Sequence, residues 1–308
     1  MITLFAPDGI GEVQPGDDLV ALLGTAIDAH PYGPLADGDI VVVTSKIISK
    51  AEGRRHPAGD REGAIDAESR GTVARRGPTR IVRTRHGLTL AAAGVDSSNV
   101  ASDTVLLLPL DPDASAARLL AGLQARGDVA LGVVVSDTAG RAWRLGQTDQ
   151  AVGAAGVRVL ERYDGRRDGY GNELQVTAMA IADEVASAAD LVKSKLAGRP
   201  VAVVRGLGRH VLGSAAAGPS AATDVTAAAL VRSGVEDMFR YGSREAVVAA
   251  ALEATGQRER YEEALGQRTH EDTVELVVRG SGLSGPEAEL LRRILRAAAA
   301  PAQPGPEG

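Results

Sequence analysis

Ile40-Val-Val-Val43, followed at once by Thr44-Ser-Lys46, decides the architecture. Four β-branched residues are too few for a buried helix and read as an interior strand. Two further runs repeat the form: Val129-Ala-Leu-Gly-Val-Val-Val135 enters Ser136-Asp-Thr138, and Val201-Ala-Val-Val204 enters Arg205-Gly-Leu-Gly208. The small apolar segment 88–95 runs into Asp96-Ser-Ser-Asn99, a cluster of turn formers carrying oxygen donors. Strands that deliver polar or glycine clusters at their carboxyl ends are where folds mixing helices and strands place ligand chemistry.

Helices fill the intervals. Leu19, Leu22, Leu23 and Ile27 have helical spacing behind an Asp able to cap the first turn. Residues 114–125 form a helix after Pro112-Asp113, and 183–195 another, closed by Gly198 and Pro200. The polar stretch 51–80 reads as an exposed excursion, or as a helix over 64–74 followed by the strand Arg80-Ile-Val-Arg83. Residues 206–222 have linker composition, and two or three helices are expected over 223–300, with 274–278 a candidate strand. The tail 301–308 is disordered by composition.

The length of 308 residues slightly exceeds the ~250–300 at which one core divides, so two lobes are expected. Lys plus Arg total 34 against 40 Asp plus Glu, a net charge of −6, which argues against a nucleic-acid partner. One Trp, five Tyr and two Phe leave no stacking platform for single strands, and without Cys there is no disulfide, thiolate metal site or thiol nucleophile. The start Met1-Ile-Thr-Leu-Phe5 lacks the basic, then apolar pattern of a signal peptide, and no run approaches the ~18 apolar residues of a membrane helix. A soluble cytoplasmic protein without a membrane partner is expected.

Several chemistries are absent. There is no phosphate-binding Gly-x-x-x-x-Gly-Lys-Ser/Thr loop, no dinucleotide fingerprint, no Gly-x-Ser-x-Gly elbow and no His-Glu-x-x-His; the five His are scattered. What stands out is a hard-oxygen set. Asp96 and Asp137 each close an apolar run beside hydroxyls or an amide, a donor set suited to Mg2+ or Mn2+, although either residue also reads as a turn cap. Ser45 and Lys50 suit phosphate oxygens, or else occupy a solvated basic turn. Arg141, Arg144, Gln147 and Asp149 surround Trp143, either clamping an anion or snorkelling around a core-covering ring.

Taken together, Thr44-Ser-Lys-Ile-Ile-Ser-Lys-Ala-Glu-Gly-Arg54, Ala93-Gly-Val-Asp-Ser-Ser-Asn99 and Ser136-Asp-Thr-Ala-Gly-Arg-Ala-Trp-Arg-Leu-Gly-Gln-Thr-Asp149 resemble the coenzyme F420-0:L-glutamate ligase family. The resemblance covers roughly the first two-thirds of the chain. It implies an α+β class, a two-lobed fold of mixed and antiparallel sheets with helices, in an intertwined homodimer. Residues 1–240 would form the ligase region, 241–300 a helical extension and 301–308 the tail.

The resemblance also implies GTP as co-substrate, Mg2+ or Mn2+ with K+ as a further candidate, and F420-0 and L-glutamate as substrates. By motif position, Ile10, Gly11, Glu12, Val13, Ser45, Lys50 and Asn99 would contact the nucleotide, and Asp96, Asp137 and Thr138 the metal. Lys50, Asp137, Arg141 and Arg144 are the expected catalytic set, the two arginines on charge alone. The chain has Gly11 where the family usually has Pro, and no counterpart in 206–222 of a metal-binding glutamine found in archaeal members. No reductase domain is expected within the 308 residues. A metal-dependent nucleotide hydrolase and a non-catalytic GTP-binding module are the alternatives.

Overall fold

In the computed structural model, residues 1–175, 177–214, 225–232 and 237–299 are described. They divide into two compact units, residues 1–65 with 94–232, and residues 66–93 with those from 233 onward. Both units mix helices and sheets, an α+β protein as expected.

The first unit carries β1 (Thr3–Phe5), α1 (Leu19–Asp28), β2 (Asp39–Thr44), α2 (Ser45–Ala51) and β3 (Arg55–Pro57). The helix α3 (Arg61–Glu68) crosses into the second unit, which adds β4 (Ser69–Arg76), β5 (Thr79–Thr84) and β6 (Thr89–Ala91). The chain then returns to the first unit through β7 (Thr104–Leu106), α4 (Pro112–Gly127), β8 (Leu131–Arg141) and β9 (Arg144–Ala155). That unit is completed by β10 (Glu161–Arg162), β11 (Ala178–Met179), α5 (Ile181–Lys193) and β12 (Val201–Arg205). The second unit ends with α6 (Ser243–Ala254), α7 (Tyr261–Leu265), α8 (His270–Gly280) and α9 (Gly285–Ala299).

The principal sheet runs β1-β12-β2-β8-β9; β2 and β8 are parallel and every other neighbour is antiparallel. Ile40, Val42, Val134, Ala202 and Val204 pack with Ala182, Val185 and Ala189 of α5. The alternate residues Val41, Val43, Val133, Val135 and Val203 point to the opposite face and are equally buried, where α4 packs on β8 and β9. A sheet covered on both faces needs apolar residues at every position, which is why these strands read as unbroken runs. Asp18 and Asp111 cap α1 and α4, accepting from the amides of Ala21 and Ala114. Gly153 of β9 lies where an added Cβ would meet the Pro112 carbonyl at 2.4 Å, so the start of α4 rests directly on the strand.

Several sequence expectations are corrected. β8 continues past its valines to Arg141, so Asp137 and Thr138 lie within a strand rather than at its end, opposite Gln150 and Asp149 of β9. Thr138 is accommodated by its in-register partner Asp149, and Asp137 by Ser45 of α2. The helix expected over 64–74 ends at Glu68, and the polar residues after it pair as the β4–β5 hairpin. Segment 88–95 contributes only the three residues of β6, and left-handed backbone at Ala92, Ala93 and Gly94 turns the chain before Asp96.

In the second unit β4, β5 and β6 form an antiparallel sheet, and Leu252, Tyr261, Val274, Val277 and Leu295 join the helices in one core. The candidate strand 274–278 lies inside α8. Thr269 and Asp272 form a capping box there, and Val274, Val277 and Val278 sit on one buried face at helical spacing. Four α-helices, not two or three, occupy 243–299. The linker composition at 215–222 and the tail 301–308 lie outside the described residues. No helix among the described residues is long and apolar enough to cross a membrane.

Candidate functional site

The site grows from the junction at which β2 becomes α2 without an intervening loop. Thr44 keeps extended backbone and Ser45 opens the helix, so of the two sequence readings the solvated basic turn does not hold: the segment is a helix in which Ser45, Ser49 and Lys50 are buried. Parallel pairing sets Thr44 beside Ser136, which brings the following residues of both strands together. Ser45 Oγ donates to Asp137 Oδ1 at 2.9 Å. Lys46 Nζ lies 2.7 Å from Asp96 Oδ2, and Asp96 also accepts from the amide and hydroxyl of Ser98 at 2.7 and 2.9 Å. One turn later, Lys50 Nζ donates to both Glu12 carboxylate oxygens at 2.8 Å.

The β8–β9 pairing builds the adjoining wall. Asp149, 3% exposed, accepts from Ser136 Oγ and Thr138 Oγ1 at 2.8 Å each and from Lys193 Nζ at 2.6 Å. Lys193, at the end of α5, also donates to Ser136 Oγ at 2.7 Å. Every polar group of this buried cluster is thus engaged, the condition under which such a network is tolerated. Because Thr138 gives its hydroxyl proton to Asp149, its lone pairs are left for another partner.

The three carboxylates differ. Burial pushes Asp137 up to about 6, opposed by the Ser45 hydrogen bond and Lys46 and reinforced by the charges of Asp96 and Asp149. Burial also raises Asp96, but the bonds from Lys46 and Ser98 outweigh it and hold the carboxyl below its ordinary range. For Asp149 burial is likewise outweighed, by Lys193, Ser136 and Thr138. The mutual influence of Asp96, Asp137 and Asp149 places these carboxylates in one electrostatic neighbourhood.

A cleft of about 430 Å3 opens against this cluster. Ile10, Gly11, Glu12, Val13, Lys50, Asn99 and Thr138, all expected at the site, line it together. Ser45, Asp96 and Asp137 stand behind the lining, Asp96 bonded to the lining residue Lys46, and Asp137 next to Thr138 in the strand. Lys46, Asp149 and Lys193 also line the cleft, as does the segment 194–200 except Ala197. Sequence reading assigned no role to Lys46 or Lys193; the only available signal for Lys46 was its place between Ser45 and Lys50. Arg141 and Arg144 do not line the cleft. They face each other in register at the tip of the β8–β9 hairpin, where Arg141 donates to the Leu145 carbonyl at 3.2 Å. Trp143 is 85% exposed and covers no core.

Four lysines, Lys46, Lys50, Lys193 and Lys195, beside residues 10–13 suit a polyphosphate. The donors also fit a divalent cation. Among the described residues no group of three or more His, Cys, Asp or Glu forms a metal cluster, but the oxygen set here includes a hydroxyl. Among the described residues Asp137 has Ser45 as its sole side-chain hydrogen-bond partner, with two further carboxylates nearby, a local excess of negative charge that a hard cation would offset. Lys46 supplies part of that compensation at Asp96.

Comparison with known proteins supplies the family of the chain that carries this cleft. The family model described as F420-0:Gamma-glutamyl ligase matches residues 9–69 and 63–206, and the chain belongs to that family. The protein described as coenzyme F420:L-glutamate ligase of Halorubrum lacusprofundi is 39% identical over 227 residues, 66% of this chain and 86% of the relative. Proteins so described from Archaeoglobus fulgidus and Methanothermobacter thermautotrophicus are 35% and 38% identical, covering 67% of this chain and 88% and 89% of their own lengths.

Proposed function

We propose that this chain is a GTP- and divalent-metal-dependent ligase that joins L-glutamate to coenzyme F420-0 in coenzyme F420 biosynthesis. The observation that carries the reading is one cleft lined by residues 10–13, Lys50, Asn99 and Thr138, with Lys46 and Lys193 beside them and Asp96 and Asp137 behind. Family membership and the relatives' descriptions supply the substrates.

Amide formation from a carboxylate in water is uphill, so a leaving group must be installed first. The terminal carboxylate of F420-0 attacks the γ-phosphorus of GTP; the bond to the β-bridging oxygen breaks, giving GDP and an acyl phosphate. The glutamate amine then attacks the acyl carbon, loses a proton and expels inorganic phosphate. Lys50, steadied by Glu12, holds the β- and γ-phosphate oxygens, residues 10–13 with Asn99 seat the rest of the nucleotide, and Ser45, behind the lining, supports Asp137 through its hydroxyl. Asp96, Asp137 and Thr138 would hold Mg2+ or Mn2+, whose chemistry is to neutralise charge on the transferring phosphoryl group. Lys193 and Asp149 keep Thr138 oriented with its lone pairs outward. Arg141 and Arg144 are left out of this set because the hairpin tip lies outside the lining.

Mass spectrometry of F420-0 incubated with the protein, GTP, Mn2+ and L-glutamate tests the reading: discrete glutamyl mass increments are expected, lost when any one component is omitted. GDP formation independent of F420-0 and glutamate would make the protein a nucleotide hydrolase. GTP binding without product would make it a binding module. The family resemblance extends the proposal to a homodimer, read as twice the chain mass by light scattering.

A further inference from the structure

A second cavity lies wholly within the other unit. It measures about 470 Å3 and is lined by residues of β4, β5 and α7 with their flanks, among them Arg70, Arg75 and Arg80. Leu265 is its only large apolar residue, so it is suited to a charged ligand rather than a greasy one.

The charges around it are arranged unevenly. Arg75 and Arg80 lie directly opposite each other on β4 and β5, a like-charge pair that costs stability unless something of opposite sign lies near. Two carboxylates share the lining, but both have other work. Glu262 accepts the amide and hydroxyl of Thr72 at 2.8 and 2.9 Å, and Asp66 lies 2.8 Å from Arg80 Nη1. Neither the Arg70 nor the Arg75 guanidinium has a hydrogen-bond or ion-pair partner among the described residues. Register shifts at Ser69/Gly71 and Thr72/Ala74 bend β4 along this wall, and strand irregularities of this kind re-aim side chains beside binding sites.

We propose that this cavity binds a multiply charged oxyanion, a phosphate ester or a polycarboxylate, gripped by Arg70 and Arg75 with Arg80 as the supporting charge. Guanidinium groups offer paired N–H donors matched to phosphate and carboxylate oxygens, and a cavity of this size admits a small molecule rather than a lone ion. The proposal does not depend on the ligase reading, whose residues all lie in the first unit.

Isothermal titration of the full chain with inorganic phosphate, and separately with citrate, tests it. Saturable binding of at least one probe is expected, weakening as NaCl is raised. Arg70→Ala and Arg75→Ala should each weaken that binding about tenfold or more with unchanged melting curves, Arg75→Lys should retain most of it, and Lys50→Ala should leave it intact. Preference for phosphate identifies a phosphorylated ligand and preference for citrate a polycarboxylate. No saturable binding of either probe overturns the proposal, as does binding lost in Lys50→Ala and indifferent to both arginine variants.

Discussion

Replacing Asp137 by Asn removes a charge while keeping the size of the side chain and an oxygen able to accept from Ser45. Its carboxyl sits at about 6 against an ordinary 3.8, so the folded protein disfavours the ionised form. At 1.36 kcal/mol per pH unit the penalty is at most about 3 kcal/mol. Asp137 keeps partial solvent contact, and the new amide N–H group needs a partner of its own, so a net gain of roughly 1–2 kcal/mol is expected for Asp137→Asn above pH 6.

The sign follows from the raised value. The contribution of Asp137 to stability is complete below about 3.8 and is lost as pH rises through about 6. The variant should therefore melt above the parent at pH 7.5, by roughly 2–8 °C at ~2–4 °C per kcal/mol for a unit of this size, and the gap should close towards pH 4. Adding Mn2+ with GTP should raise the parent's melting temperature and not the variant's, and ligase turnover should vanish. A variant that melts lower than the parent at pH 7.5, or a gap that does not change with pH, refutes the electrostatic account of this carboxylate.

Lys50→Ala should raise the KM for GTP about tenfold or more while moving that for glutamate little, since a charge-assisted bond contributes roughly 1.5–3 kcal/mol; an effect confined to glutamate would reassign the lysine. Lys193→Met leaves Asp149 buried without its cation and should cost about 3–5 kcal/mol in urea unfolding, much of it recovered in the double variant with Asp149→Asn. Gly153→Ala forces a Cβ onto the Pro112 carbonyl at 2.4 Å and should lower stability by roughly 1–3 kcal/mol in the same assay. Arg144→Ala should leave the KM for GTP within about twofold, because a residue outside the cleft lining makes no nucleotide contact to lose.

What the sequence disclosed divides along physical lines. β2, β8 and β12 were legible because burial on both faces leaves a run of β-branched residues that few alternatives accommodate. Asp18 was legible as a cap because capping is local, whereas the second helix begins at Pro112 and is capped by Asp111, just before the Pro112-Asp113 from which the sequence placed its start. The continuation of β8 through Ser136, Asp137 and Thr138 was not legible, since Ser136 and Thr138 are stabilised by Asp149 on the neighbouring strand and by Lys193 on a helix 44 residues further along the chain, and Asp137 is bonded by Ser45 at the start of α2. Val274 and its neighbours looked like a strand because five residues cannot distinguish the two periodicities; the capping box before them decides for a helix. At the site, the nucleotide and metal candidates came from ordered motifs. Lys46 and Lys193 escaped notice because a lysine's role depends on which carboxylate the fold brings to it, as Asp96 and Asp149 are brought here.

The central claim is that oxygen donors on β8 and beside β7 seat a divalent cation against the triphosphate of GTP. Anomalous diffraction from a crystal grown with Mn2+ and a non-hydrolysable GTP analogue tests it most directly. The account predicts a manganese peak bounded by Asp137, Asp96 and Thr138, with analogue phosphates beside Lys50. A peak elsewhere with that cluster unchanged, or an analogue bound away from residues 10–13, would contradict it.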